Sequence, residues 1–270
     1  MNANLYPAAF VLMFCFMMPA PDVVAQTAAK PGSGPEHTAE QHRRGPKKIA
    51  LTDSKGAVAR LWKPDLTTLP LTVEHGNITL PRTGVDNYHA VVVEKDRGHL
   101  KEVLIRYEYM HGKPSGHSTS ELTAAEKTPF EIVPDPVPRE HQHYRSDQRW
   151  NFSLRFKGTP AVDIPVTLET SHGTRVNAVS DSGGEFSLHI PDDFPDLKEG
   201  ERDKRTAEFS ISAETKDNGI LYRTMLSAAY RVKPSHWQSS GLGVAVTGFG
   251  MLAGVLLGSI GLTETKRKAR

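Results

Sequence analysis

The clearest pattern along the chain is an alternation of apolar and polar residues between positions 150 and 195. Three apolar series repeat there at every second position: Trp150, Phe152, Leu154 and Phe156; Ile164, Val166 and Leu168; and Phe186, Leu188 and Ile190. A period of two is typical of a strand that buries one face. Three turn sequences interrupt the stretch: Gly158-Thr159-Pro160, Ser171-His172-Gly173 and Asp181-Ser182-Gly183-Gly184. Short alternating strands with closely spaced turns predict an antiparallel β-sandwich of the immunoglobulin type.

The residues upstream also show the pattern of strands. The candidate strands are 57–62, 69–74, 78–80, 88–94, 101–109 and 130–133. Asp96-Arg97-Gly98 predicts a hairpin between the fourth and fifth of these strands, and Ser120 is a candidate cap for a short helix over 121–126. The fold prediction is therefore mainly β, with tandem antiparallel sandwich domains at 49–138 and 149–233 joined by a connection at 139–148.

The two ends of the chain differ from this body. An apolar run at 8–19 and the small residues up to Ala25 predict a signal peptide over 1–25. The polar, Pro- and Gly-rich residues 26–48 predict a disordered leader. Residues 241–262 carry no charge and are long enough for a transmembrane helix. Basic residues in the tail at 263–270 place that end in the cytoplasm, so the body is expected to be exported.

The predicted transmembrane helix carries three glycines at intervals of four, Gly250, Gly254 and Gly258. Residues with this spacing share one helix face and allow a second helix to approach closely. The second helix would belong to a membrane partner or to another copy of the chain, and a plain anchor without a partner is the alternative.

The formal net charge of +2 arises at the ends of the chain. Removing Asp22 with the signal, and Glu264 with the four basic residues of the tail, leaves 29 basic and 29 acidic residues. A neutral body indicates neither nucleic acid nor an anionic surface as partner. The single cysteine, Cys15, lies in the predicted signal, so the exported body would contain neither a disulfide nor a thiolate ligand.

Histidines are the main candidate ligands. Four of the twelve lie near one another in sequence: His111, His117, His141 and His143. On extended backbone His141 and His143 would face the same side and could offer two imidazole nitrogens to Ni, Co, Cu or Zn. Other residues that could complete such a shell are Glu140, Asp147, Met110 and His89. Loop histidines without any ligand are the alternative interpretation.

Catalytic signatures do not occur in the sequence. It contains no nucleophile elbow, no His-Glu-x-x-His helix and no phosphate-binding loop, so we expect a non-enzymatic protein with no catalytic residues. Four aromatic residues support a further alternative, carbohydrate binding: Trp62, Tyr107, Tyr109 and Tyr144.

Several phrases of the sequence resemble a bacterial family of periplasmic domains of uncharacterised function that are associated with nickel and cobalt uptake transporters. They are Phe130-Glu131-Ile132-Val133-Pro134, Lys157-Gly158-Thr159-Pro160, Ile164-Pro165-Val166-Thr167-Leu168 and Ser180-Asp181-Ser182-Gly183-Gly184-Glu185-Phe186. The resemblance covers about 130–232. It implies a prealbumin-like or carboxypeptidase-regulatory-like sandwich, and some members of the family also end in a transmembrane helix.

Two functions are therefore expected from the sequence. The first is a periplasmic accessory or binding subunit, anchored in the bacterial inner membrane, for uptake of a transition metal such as nickel or cobalt, with transporter subunits as partners. The second is a non-enzymatic structural or interaction module of the cell envelope.

Overall fold

The computed structural model describes residues 47–139, 143–198 and 200–236. Its strands are β1 Lys48–Ala50, β2 Val58–Trp62, β3 Thr68–Leu71, β4 Val73–Glu74, β5 Asn77–Thr79, β6 Val85–Asp96, β7 Leu100–Met110, β8 Lys113–Pro114, β9 Phe130–Pro134, β10 Tyr144–Arg145, β11 Gln148–Phe156, β12 Thr159–Pro160, β13 Pro165–Thr170, β14 Arg175–Val179, β15 Glu185–Ile190, β16 Thr206–Asp217 and β17 Ile220–Arg231. A helix, α1, spans Thr119–Ala124, and a 3-10 turn spans Pro234–His236.

The signal peptide, most of the leader, the transmembrane span and the tail predicted from the sequence lie outside these residues. Within the described part of the chain, no helix is long and apolar enough to cross a membrane.

Two sheets face each other in the C-terminal half. One contains β9, β11 and β15, with β12 extending an edge, and the other runs in the order β14-β13-β16-β17. Their inner faces share one core, to which Phe152, Leu188, Leu168 and Ile211 contribute fully buried side chains. The three apolar series of the sequence supply much of this core because every second residue of a strand points to the same side. The prediction of a mainly β protein with a sandwich is confirmed.

The N-terminal strands continue the larger sheet. β7 pairs in parallel with β17 over Leu100–Ile105 and Leu221–Leu226, and β6, β2 and β3 follow beyond it. β6 and β7 form the predicted hairpin around the turn at Gly98. Strands from both predicted β ranges therefore hydrogen-bond within one sheet, and β9, placed by the sequence in the first range, pairs with β11 of the second. The alternation of apolar and polar residues within a strand does not depend on which strand it pairs with, so the sequence could not predict these pairings.

A second core lies under the N-terminal strands. The small sheet β1-β5-β4 places Ile49 and Ile78 beside Leu61 of β2 and Val91 of β6. These four residues are at most 7% exposed. This core fixes β6 and, through it, the whole length of β7.

The short helix begins two residues earlier than the sequence indicated. Its N-cap is Ser118, whose hydroxyl accepts a hydrogen bond from the backbone N–H of Glu121, while the Glu121 carboxylate accepts from the backbone of Ser118. This is a capping box, which satisfies two helix N–H groups at once. The predicted cap, Ser120, is wrong because it lies inside the first turn.

A buried ionic cluster fixes the end of this helix against the sandwich. The Glu131 side chain is fully buried and accepts a hydrogen bond of 2.8 Å from Nε of Arg155. The guanidinium of Arg155 also donates to the carbonyl oxygens of Thr123, Ala124 and Ala125, which are the last of the helix. Arg155 therefore joins α1, β9 and β11, and it satisfies carbonyls that the helix itself leaves without partners.

Replacing Arg155 by Ala is expected to lower the free energy of unfolding by about 3–5 kcal/mol, because the buried carboxylate of Glu131 loses the guanidinium that donates a hydrogen bond to it. The measurement is urea unfolding of the full chain in a mild detergent, followed by far-UV circular dichroism. Arg60→Ala is the matched control, since its pair with Glu94 is exposed and should be worth less than about 1 kcal/mol. Equal losses in both variants would contradict a structural role for the cluster.

Candidate functional site

A cleft opens where β7 and β17 separate. Their parallel register ends at Ile105 and Leu226. Beyond this point the short strand β10 takes over the edge of β17, pairing Tyr144 and Arg145 with Tyr230 and Arg231. The space left between Arg106–Tyr109 and Ser227–Ala229 is a cleft of about 570 Å³. We call it the β7–β17 cleft.

Small side chains make room for the cleft on one side. Ser227, Ala228 and Ala229 follow one another on β17 and all line it. Val137 and Pro138, which follow β9, line another side. The cleft is therefore bounded by two sheet strands and by the residues that directly follow β9.

Charged residues on the cleft are held in fixed positions by one another. Arg106 donates from Nε to Oε1 of Glu108 at 2.5 Å, and its two terminal nitrogens contact both carboxylate oxygens of Glu208 at 2.5 and 3.0 Å. Lys47 adds a second ion pair to Glu108. Although burial alone would lower it, the pKa of Arg106 is raised by Glu208 and Glu108. These pairs order the polar side of the cleft.

Aromatic rings form a connected group on the other side. Tyr88 and Tyr109 meet edge to face with centroids 5.3 Å apart, and Tyr109 meets His111 in the same way at 5.3 Å. The hydroxyl of Tyr109 donates to Oδ2 of Asp86 at 2.8 Å, which fixes the ring. Burial, with a smaller effect of the Glu108 carboxylate, raises the pKa of Tyr88 to about 12. Tyr88 therefore stays neutral at physiological pH.

Tyr107 connects the cleft to the buried ionic cluster. It lines the cleft, yet its hydroxyl oxygen is buried and has no hydrogen-bond partner among the described residues. Burial raises the pKa of this hydroxyl, and the charge of Glu131 adds to the shift. The ammonium of Lys127 lies 5.6 Å from the centre of the ring. Burial lowers the pKa of Lys127 to about 8, against the attraction of Glu131.

The structure brings two of the four predicted histidine ligands to the same cleft. His111 and His143 both line it. His117 lies elsewhere, beside the helix, where its Nδ1 is 2.9 Å from Glu121. His141 lies outside the described residues, as do Gly250, Gly254 and Gly258. Among the described residues, no group of three or more His, Cys, Asp or Glu side chains is arranged to hold a metal ion.

The other candidates for a metal shell are engaged in different contacts. His89 is fully buried, with its ring nitrogens 2.9 Å from the Thr83 hydroxyl and 3.1 Å from the Asn87 carbonyl, and burial lowers its pKa. Asp147 pairs with Lys233 at 2.7 Å at another end of the sandwich. Glu140 lies outside the described residues.

Sequence reasoning missed the polar half of the cleft. Arg106 and Glu108 alternate with tyrosines on β7, and Glu208 comes from β16, 100 residues later. One signal was available: two charged residues next to each other on one face of a strand whose neighbours are strongly apolar. Of the four aromatic residues considered for carbohydrate binding, Tyr107, Tyr109 and Tyr144 line the cleft, whereas Trp62 packs against the core.

Comparisons with known proteins find only distant structural similarity. No family model and no curated protein matches the chain. A Ca²⁺-stabilised adhesin with which an Antarctic bacterium binds ice is similar over 66% of this chain and 40% of its own, at 17% identity and a TM-score of 0.26. A segment of two fibronectin type III domains from chicken tenascin is similar over 65% of this chain and 83% of its own, at 10% identity and a TM-score of 0.22. The chain thus spans about two fifths of the length of the adhesin chain.

Two tyrosine substitutions should have opposite effects on stability. Tyr107→Phe removes a buried hydroxyl without a partner and is expected to raise the free energy of unfolding by about 1 kcal/mol. Tyr230→Phe, the matched control, removes a hydrogen bond of 2.5 Å to Asp193 and should lower that free energy by about 1.5–3 kcal/mol. Urea unfolding of the full chain measures both. Equal losses would mean that the Tyr107 hydroxyl has a partner in solution, such as a bound water.

Proposed function

We propose that the chain is a non-enzymatic binding module of the bacterial cell envelope and that the β7–β17 cleft is its binding site. The observation that carries this proposal is the cleft itself. Its walls come from β7, β17, Val137, Pro138, His143 and Tyr144, and its size is within the range of small-molecule sites, roughly 300–1,000 Å³. Sheet strands hold both walls, so the site is formed before any partner arrives.

The ion pairs favour binding over catalysis. A carboxylate that acts as a general acid or base needs a pKa near the working pH and a free path to the substrate. Glu108 is instead held between Lys47 and Arg106, and Glu208 is held by Arg106. Such partners hold both carboxylates in fixed positions, which suits the recognition of a ligand by hydrogen bonds.

The sequence supports an anchored, periplasmic position for this module. The proposal includes a signal peptide over 1–25, a transmembrane helix over 241–262 and a prealbumin-like sandwich between them. The described chain ends at His236, a few residues before the proposed helix. The sandwich would therefore lie close to the outer surface of the inner membrane, where Gly250, Gly254 and Gly258 could pack against a transporter subunit or a second copy.

Site-specific photocrosslinking tests the position of the binding site. A benzophenone amino acid replaces Arg231, an exposed residue of the cleft, and in a matched variant it replaces Val179, which is 57% exposed on the edge strand β14. Irradiation of cells that produce the full chain is expected to give a discrete adduct from position 231 and none from position 179. No adduct from position 231, or the same adduct from both positions, would contradict the proposal.

A role in transition-metal uptake is the second candidate. Its support is the resemblance over 130–232 together with the presence of His111 and His143 on one cleft. Two imidazoles with a further ligand would suit Ni²⁺ or Co²⁺, and His141 is two residues from His143 in the sequence. The cofactor in this case would be the transported ion itself, handed to an inner-membrane transporter.

Calorimetric titration with Ni²⁺, Co²⁺, Cu²⁺ and Zn²⁺ tests this candidate on the full chain in detergent. The metal function predicts binding of at least one ion, weakened at least tenfold in the double variant His111→Ala/His143→Ala and unchanged in His172→Ala, which alters a histidine outside the cleft. Binding of no ion, or equal binding by both variants, would remove the metal function and leave the binding-module proposal intact.

A further inference from the structure

The two sides of the β7–β17 cleft differ in chemistry, and both are rigid. One side presents the ring group of Tyr88, Tyr109 and His111, in which neighbouring rings meet edge to face. The other presents the guanidinium of Arg106 and the carboxylates of Glu108 and Glu208, locked by short ion pairs. A ligand that fills the cleft must therefore pack against an aromatic surface and also form hydrogen bonds with a set of fixed polar groups.

The charges around the cleft are close to balanced. Lys47, Arg106 and Arg231 supply three positive charges against the two negative charges of Glu108 and Glu208. A strongly charged ligand gains little net attraction from such a lining. A purely apolar ligand would remove water from the guanidinium and the carboxylates without replacing its hydrogen bonds, which is costly.

We infer that the cleft binds a short oligosaccharide. This inference rests on the proposed binding function and names the ligand of that site. A pyranose ring combines an apolar C–H face, which packs on aromatic side chains, with a rim of hydroxyl groups. Each hydroxyl both donates and accepts, so neighbouring hydroxyls can accept from a guanidinium and donate to a carboxylate.

The volume of the cleft sets the length of the ligand. About 570 Å³ accommodates a few sugar rings at the most, and the cleft is open to solvent at the exposed side chains of His111 and Arg231. The small residues Ser227, Ala228 and Ala229 leave the space that the rings occupy. A long glycan would therefore be held by one short section, with the remainder outside the cleft.

The experiment uses the full chain in a detergent without a sugar headgroup. The probes are tetrasaccharides of glucose linked β-1,4, glucose linked α-1,4, N-acetylglucosamine linked β-1,4 and mannose linked α-1,6. Saturation-transfer-difference NMR and calorimetry measure binding. We expect at least one probe to bind, with its ring C–H protons receiving the strongest transfer because they face the tyrosine rings. No binding by any of the four probes would overturn the inference.

Variants locate the binding site. Ala229→Trp fills the cleft and should weaken binding at least tenfold, whereas Val179→Trp adds the same side chain on the distant edge strand and should change it less than twofold. Tyr109→Ala removes the central ring and should also weaken binding at least tenfold. Circular dichroism and urea unfolding identify any variant that fails to fold. Such a variant is replaced by Arg231→Ala, which changes an exposed residue and should weaken binding at least threefold. Binding that none of these cleft variants weakens would overturn the inference.

The two proposals can fail separately. If the photocrosslinker at position 231 captures a polypeptide and no tetrasaccharide binds, the oligosaccharide inference is wrong and the binding-module proposal stands. If neither experiment detects a ligand at the cleft, both are wrong.

Discussion

The parallel pairing of β7 with β17 is the contact on which the rest of the molecule depends. It joins Leu100–Ile105 to Leu221–Leu226, residues more than 100 positions apart, and so merges an N-terminal set of strands with one sheet of the sandwich. Closing so long a loop costs conformational entropy, which the shared core around Val103, Ile105 and Leu226 must offset. The point at which this ladder ends is also the point at which the cleft begins. The register of β7 and β17 therefore determines both how the two sets of strands are joined and where the cleft lies.

The divergence of these strands has identifiable causes. β6 pairs with β7 as far as Met110, so β7 must follow the direction of β6. β6 is itself fixed by the second core under β1, β4 and β5. On the other side, β10 occupies the edge of β17 at Tyr230 and Arg231. Neither strand can then move toward the other without losing existing hydrogen bonds. The cleft is held open by the pairing on its two sides rather than by a flexible hinge.

The sequence predicted individual strands far better than their partners. Alternation located β2, β7, β11, β13 and β15 because one face of each packs against a core, and burial on one face imposes the period of two. It could not show that β7 lies beside β17, since parallel pairing of distant strands adds no local signal. The cleft was therefore hidden, although Tyr107, Tyr109, His111, Tyr144 and His143 had each been singled out. The signal peptide and the transmembrane helix remain predictions.

Tyr107 connects the cleft to the residues that stabilise the fold. Its ring borders the cleft, while its buried hydroxyl, near Lys127 and Glu131, has no hydrogen-bond partner in the described part of the chain. The Lys127 side chain on this side of the ring is fully buried, and this burial lowers its pKa to about 8. The charge pair of Glu131 with Arg155 holds α1 and β9 behind the same ring. A change in the cleft that displaced Tyr107 would expose this cluster to water, so occupation of the cleft and stability of the α1 region should be thermodynamically linked.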